Sequence, residues 1–249
     1  MIFVKNTNLT FHVLQSNRKM NNRVTQLSVI LPIHNEEEGI ENFLLSLIRL
    51  LQEKKIIAEL LCVENGSTDN SLLILRSLEK QYPGLRVVES QKGWGNAVRK
   101  GIKMARGNYI AYMVTDGQVD PKYLIATYQK ILQTGVDMVK VTRITRENTS
   151  RFVNSRAYNY LSMMMFGFNT IDINGTPKII RSDVLRKIPL YSHNITLDIE
   201  LLYKMKQKNL SWKEVPVRSK KRRYGVSTTN IKSIWEMFSY MLRLLTRTI

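Results

Sequence analysis

Thr115-Asp116-Gly117-Gln118-Val119-Asp120-Pro121, directly after the apolar run Tyr109 to Val114, sets the three oxygen-bearing side chains of Asp116, Gln118 and Asp120 at alternate positions. At the exit of a buried strand such a set is what a divalent cation bridging a diphosphate needs, which points to an enzyme handling an activated nucleotide. Asp-Gly is equally a strong turn signal, so this segment alone leaves both readings open. Two more polar clusters follow apolar runs in the same way. They are Pro32-Ile33-His34-Asn35-Glu36 after Leu27 to Leu31, and Glu64-Asn65-Gly66-Ser67-Thr68-Asp69 after Ala58 to Val63. The second fits a tight turn into a helix with Thr68 or Asp69 as N-cap. Asn65 there is placed to contact a base or ribose, and because its amide both donates and accepts it does not name the base.

The elements that would position these clusters alternate regularly. Strand patterns at Leu27 to Pro32, Ala58 to Val63, Leu85 to Glu89 and Asn108 to Val114 are separated by helical patterns at Glu36 to Lys54, Asn70 to Gln81 and Gly93 to Ala105. Repeated strand-helix units imply a mostly parallel sheet with helices on both faces, which binds ligands beyond the carboxyl ends of its strands. The three polar clusters sit at such ends and converge on one crevice. A helix after Pro121 to about Thr134 and a strand at Val136 to Thr142 come next. Beyond them lie a basic segment with Arg143, Arg146, Arg151 and Arg156 and an apolar stretch from Tyr158 to Phe168. Asp172 to Lys178 reads as a loop, Leu197 to Gln207 as a helix, Trp212 to Val217 as a strand and Ile231 to Ile249 as helical. Gly93-Trp94-Gly95 opens its helix with small residues whose backbone amides are a weak phosphate signal. It lacks the third glycine of the dinucleotide fingerprint and follows the third strand rather than the first, which excludes a nicotinamide cofactor; no Walker-type loop is present.

Length and charge bound the partners. With 249 residues the chain can bury a full core as a single domain, and 38 Lys+Arg against 20 Asp+Glu leave a net charge of +18. Nucleic acid, an anionic membrane and phosphorylated substrates all suit that charge. Nucleic acid ranks low, because the basic residues are interleaved with the other motifs and no nucleic-acid module signature is present. The single cysteine, Cys62, lies in an apolar run and reads as a core residue in a reducing compartment. The first 26 residues show no apolar h-region, and no window approaches a spanning length of about 20 apolar residues. The chain is therefore expected to stay on the cytoplasmic side, without signal peptide or transmembrane helix, and to meet a membrane, if at all, peripherally at its surface.

Taken in order, these motifs resemble the family-two, A-type inverting glycosyltransferases, and most of all the dolichyl- or polyprenyl-phosphate mannose or glucose synthases. The resemblance runs from about residue 27 to 228. It also takes in Asn174-Gly175-Thr176-Pro177-Lys178, Leu197-Asp198-Ile199-Glu200, Glu214-Val215-Pro216-Val217 and Arg222-x-x-Gly225-x-Ser227. It implies a single GT-A (Rossmann-like) α/β domain over 27–228, an N-terminal extension over 1–26 and a C-terminal amphipathic helix over 229–249. It further implies transfer of a hexose from a nucleotide-diphosphate sugar to a polyprenyl phosphate, with Mg2+ or Mn2+ as cofactor. By position, Pro32, His34, Glu36 and Asn65 line the nucleotide pocket, and Lys92, Lys178 and Ser227 join the substrate-binding set. Asp116, Gln118 and Asp120 match the metal motif, although relatives often carry Asp, Asp and Gln there.

The acceptor's chemistry decides the remaining roles. A lipid phosphate oxygen is already ionised near neutral pH, so attack on the anomeric carbon needs positioning and charge neutralisation more than a base. Arg143, Arg156 and Arg222 fall at or near the places of phosphate-binding arginines, and Asp116 is counted with them as catalytic. Asp198 falls where relatives with hydroxyl acceptors keep a base, so a saccharide acceptor stays open, as does a non-catalytic nucleotide-sugar binder. Two apolar segments, Tyr158 to Phe168 and Ile234 to Leu245, are candidates to meet the lipid. The second carries Lys232, Arg243 and Arg247 as an interfacial helix on an anionic surface would.

Overall fold

The computed structural model describes residues 25–145, 149–220 and 231–246. Its centre is a seven-stranded sheet in the order β3-β2-β1-β4-β6-β5-β7. The strands are β1 (Leu27–Ile33), β2 (Ala58–Glu64), β3 (Leu85–Glu89), β4 (Tyr109–Tyr112), β5 (Met138–Thr145), β6 (Lys178–Arg181) and β7 (Trp212–Arg218). β3, β2, β1 and β4 pair in parallel, as the strand-helix alternation requires. All seven residues of β1 are buried, the continuous apolar run of a strand covered on both faces.

The helices divide between the two faces. Helices α1 (Ile40–Glu53), α2 (Ser71–Gln81) and α4 (Lys122–Thr134) bury Phe43, Leu44 and Leu47, Leu75 and Leu78, and Leu124, Ile125 and Tyr128 on one side. Helices α3 (Trp94–Met104), α5 (Thr149–Phe166), α7 (Leu197–Gln207) and α8 (Ile231–Leu245) cover the other. There Val98, Phe166, Leu201, Leu202, Met241 and Leu244 close over Ile30, Leu61 and Tyr112 of the sheet. The helix α6 (Ser182–Leu185) is a single turn after β6. The left-handed residue ending α4 is Gly135, a backbone state glycine enters without a Cβ penalty.

One strand departs from the sequence expectation. Lys178, expected at the end of a loop, opens β6, which runs antiparallel to both β4 and β5. Four residues ending in Arg181 carry too little apolar pattern to announce a strand; pairing on both sides makes it one. The consequence is functional. Because β6 runs backwards, the loop before it lies at the same edge as the exits of β1, β2, β4, β5 and β7. Of the basic segment, Arg143 lies in β5 and Arg151 and Arg156 lie in α5, while Arg146 is outside the described residues.

Candidate active site

At that edge the first two exits are sewn together. Asn35, in a left-handed conformation (φ 53°), takes the Thr68 N–H on its Oδ1 at 2.8 Å and gives its own N–H to Ser67 Oγ at 3.1 Å. The Glu36 N–H donates to Ser71 Oγ at 2.9 Å and the Glu37 N–H to Asp69 Oδ2 at 3.0 Å. Asp69 also accepts from the Ser71 N–H at the start of α2, but the N-cap position itself is Asn70 rather than the expected Thr68 or Asp69, one residue further along because the helix begins at Ser71. Burial is the largest single effect and would raise its carboxyl, but the Ser71 hydroxyl and the backbone amides together outweigh it and hold the carboxyl below the usual carboxylate range. Thr115, at the β4 exit, donates its hydroxyl to Glu36, which ties the third exit to the first.

Asn65 is buried, and its Oδ1 accepts the Gly93 N–H at 2.7 Å. With one lone pair of its oxygen taken by Gly93, it keeps both amide hydrogens and the second lone pair for a ligand. Pro32 is buried in β1, whereas His34 is half-buried, with its Nδ1 a buried atom lacking a hydrogen-bond partner among the described residues. Lys92 is exposed after β3, its Cβ 3.4 Å from where a side chain on Gly66 would begin. The glycines at the start of α3 serve packing rather than phosphate. A Cβ on Gly95 would lie 2.3 Å from Ser192 O, and the Asn96 N–H donates to His193 O at 3.2 Å. That covering loop is held by the buried Glu200, which accepts the N–H groups of Tyr191 and Ser192.

Asp116 is 3% exposed and its Oδ1 accepts the Gln118 N–H at 3.0 Å. Asp120 Oδ1 accepts the Lys122 N–H at the start of α4, while its Oδ2 faces Lys220 at 3.7 Å and Lys122 at 3.9 Å. Lys220 also donates its backbone N–H to Gln118 O, so the chain leaving β7 lies across this loop. Among the described residues no three His, Cys, Asp or Glu side chains gather as a self-sufficient metal cage. Two carboxylates and one amide fit instead an ion that completes its shell with water and substrate phosphate oxygens, the usual manner of Mg2+.

The other side of the edge is charged. Asp172 binds Arg143 bidentately, from Nε at 2.8 Å and Nη2 at 2.8 Å, and also accepts the Arg143 backbone N–H at 2.9 Å. Burial opposes the guanidinium's charge, but Asp172 outweighs it and holds its pKa above the ordinary value. Gly175 permits this: a Cβ there would lie 2.0 Å from Val141 O. Lys178 and Asp198 form a buried pair at 2.6 Å, and the Tyr112 hydroxyl donates to the same Asp198 oxygen at 2.7 Å. Burial pushes the Lys178 ammonium down and the Tyr112 phenol far up. Arg156 is exposed on α5, and Arg222 and Ser227 lie outside the described residues.

The sequence reading assigned no role to Lys140, Glu214, Thr115, Asp172 or Lys220. Lys140 was detectable as a lysine between Val139 and Val141 in a strand covered on both faces; the others became visible only through their partners.

The family model for glycosyl transferase family 2 matches residues 28–189, which contain the exits of β1, β2 and β4. The chain belongs to that family. Among relatives of this family 2 chain is a dodecaprenyl-phosphate galacturonate synthase of Rhizobium johnstonii, 29% identical over 170 residues, 66% of this chain and 50% of the relative. An uncharacterized glycosyltransferase of Synechocystis is 32% identical over 124 residues, 49% of this chain and 39% of that one. The chain thus spans half or less of the length of these relatives. A structure of glucosyl-3-phosphoglycerate synthase from Mycobacterium tuberculosis with phosphoglyceric acid superposes with a TM-score of 0.70 at 17% identity, covering 94% of this chain and 83% of that one. A complex of the same enzyme with Mn2+, UDP-glucose and phosphoglyceric acid gives 0.70 at 16% identity, over 99% and 85%. The shared architecture is the GT-A fold.

Proposed function

We propose that this family 2 chain transfers a hexosyl unit, glucose or mannose, from a nucleotide-diphosphate sugar to a polyprenyl phosphate with inversion. The state of Asp198 carries this reading over a hydroxyl acceptor. The carboxylate that would serve as base is 3% exposed and bound to Lys178 and Tyr112, so it is not poised to accept an acceptor proton. A phosphate acceptor needs no such proton transfer. The name of the Rhizobium relative supports a polyprenyl-phosphate acceptor and extends the sugar class to hexuronates.

In this reading the laced exits of β1, β2 and β4 hold the nucleotide, with His34 and Pro32 against it and Asn65 donating to it. Asp116, Gln118 and Asp120 would hold Mg2+ or Mn2+, an ion that neutralises the diphosphate as the sugar leaves. The Mn2+ and UDP-glucose in the mycobacterial complex support that pairing. Arg143, aimed by Asp172, keeps its Nη1 group outside that pair for the acceptor phosphate. Lys178 then acts by holding Asp198 rather than by touching substrate. Arg156 and Arg222 supply further positive charge around the acceptor, and Lys92 and Ser227 flank the donor and acceptor sides.

A peripheral membrane position is part of this reading, supported by the proposed acceptor and by two helices. Tyr160, Leu161, Met163 and Met164 are exposed on α5, and Leu242 and Leu245 on α8 beside Arg243. The two helices touch at Ser162 and Met241, 3.1 Å apart. An apolar face with flanking cations suits an anionic membrane surface. Among the described residues no helix is long and apolar enough to cross a membrane.

The experiment is product analysis with nucleotide sugars, Mg2+ or Mn2+, and either polyprenyl phosphate or free saccharide acceptors. Lipid-linked sugar is expected. Asp116→Ala, folded by circular dichroism, is expected to lower turnover by about a hundredfold or more, as for loss of a group acting on transition-state charge. Transfer to saccharides alone would refute the acceptor assignment.

A further inference from the structure

Lys140 has no place in the donor or acceptor roles above, yet its side chain is wholly buried. Replacing a buried ion pair by apolar groups is often neutral or stabilising, so stability alone gives little reason to bury a lysine. Its surroundings are specific. Register places Tyr112 opposite Lys178, Lys178 opposite Lys140, and Lys140 opposite Glu214, a polar row across β4, β6, β5 and β7. Two lysines side by side repel unless each has its own carboxylate. Lys178 has Asp198, and Lys140 has Glu214 at 3.3 Å.

From Lys140 the contacts lead to Arg143. The Lys140 ammonium donates to Thr142 Oγ1 at 3.2 Å and to Thr170 Oγ1 at 3.1 Å. Thr170 Oγ1 in turn accepts the Asp172 N–H at 3.4 Å, and Asp172 holds Arg143 by three bonds. The Thr142 hydroxyl also donates to Glu214, so both Glu214 oxygens are committed to β5. Besides Glu214, the carboxylate acting on Lys140 is Asp172. If Glu214 did not hold Lys140, the ammonium would be drawn to Asp172 and would compete with Arg143 for it.

We propose that Lys140 and Glu214 are positioning residues that fix the Asp172–Arg143 pair through Thr170, and thereby set the aim of Arg143 at the acceptor phosphate. This rests on the acceptor role proposed for Arg143. Neither residue touches substrate. Glu214 keeps Lys140 on the β7 side, Lys140 pins Thr170, and the pinned loop presents Asp172 to a single arginine orientation.

The test compares Thr170→Val, Glu214→Gln, Lys140→Met and Arg143→Ala. The readouts are KM and kcat for donor and acceptor, the calorimetric Kd of a short-chain polyprenyl phosphate, and the thermal midpoint. Thr170→Val leaves Lys140 its bonds to Thr142 and Glu214, so it serves as the folded variant even where Lys140→Met does not fold. The expected result is a rise of about tenfold in acceptor KM and Kd, the size of one lost positioning hydrogen bond, with donor KM unchanged. In an Arg143→Ala background Thr170→Val should add nothing, because its effect passes through that arginine. Wild-type acceptor affinity in Thr170→Val and Glu214→Gln, or losses that multiply with Arg143→Ala, would overturn the positioning role while leaving the acceptor site intact. Unchanged acceptor affinity in Arg143→Ala itself would overturn the acceptor assignment, and the positioning role with it.

Discussion

At the exits of β1, β2 and β4 the polar groups are short, largely neutral side chains bonded to backbone amides, whereas the row across β6, β5 and β7 is built from buried charges. On the first side, Asn35, Ser67, Thr68, Asp69 and Ser71 shape loops. On the second, Lys178–Asp198, Lys140–Glu214 and Arg143–Asp172 each match one cation to one carboxylate. The loops of the first side are shaped by hydrogen bonds between neighbouring exits, which leaves amides and carboxylates turned toward a ligand. In the proposed reading the second side holds a cation steady near a phosphate in a poorly solvated place, where leaving a charge unpaired would be strongly destabilising. In the same reading one half is a mould for a nucleotide and the other an electrostatic frame for an anion.

The sharpest way to break this contrast is to unpair a charge on the second side. Asp198→Ala leaves the wholly buried Lys178 without its carboxylate and is expected to cost about 3–5 kcal/mol in chemical denaturation. A cost below about 1 kcal/mol, the range of surface pairs, would mean the pair is not buried as described. On the first side the vulnerable element is backbone approach rather than charge. Gly95→Ala puts a Cβ 2.3 Å from Ser192 O and is expected to cost about 1–3 kcal/mol as an overpacking change, together with weaker donor binding by calorimetry. If it binds donor normally, the loop over α3 is independent of the donor side.

The last expected effect is a pH slope. Burial lowers the Lys140 pKa to about 8 in the folded protein, against 10.5 for an ordinary lysine, with Glu214 opposing the shift. Between these values the unfolded chain holds the proton and the folded one does not, so by linkage this group's contribution to stability rises with pH. From pH 8 to 10 wild type should therefore gain stability relative to Lys140→Met. Parallel stability curves over that window would place Lys140 in a solvated setting.

Much of this was legible without coordinates, and unevenly. The donor-side elements lie within one to four residues of their expected bounds, because a doubly covered strand and an amphipathic helix each carry a periodicity of their own. The exits were legible because each is a contiguous motif. Asp198 was singled out as a base by resemblance, yet its partners are Lys178, 20 residues away, and Tyr112, 86 residues away. Glu214 stood within a quoted motif without a role, since Lys140 is 74 residues from it.

From the sequence alone came the alternation of elements, the polar clusters at the strand ends, the basic balance and the family. These follow from local patterns, which survive in a linear string. The tertiary structure decided that β6 enters antiparallel and brings the loop of Asp172 to the ligand edge. It also decided that Gly93 and Gly95 serve a close-packed loop, and which cation owns which carboxylate. A buried charge is stable only beside its counter-charge, and that distance is set by sheet register between strands far apart in the chain.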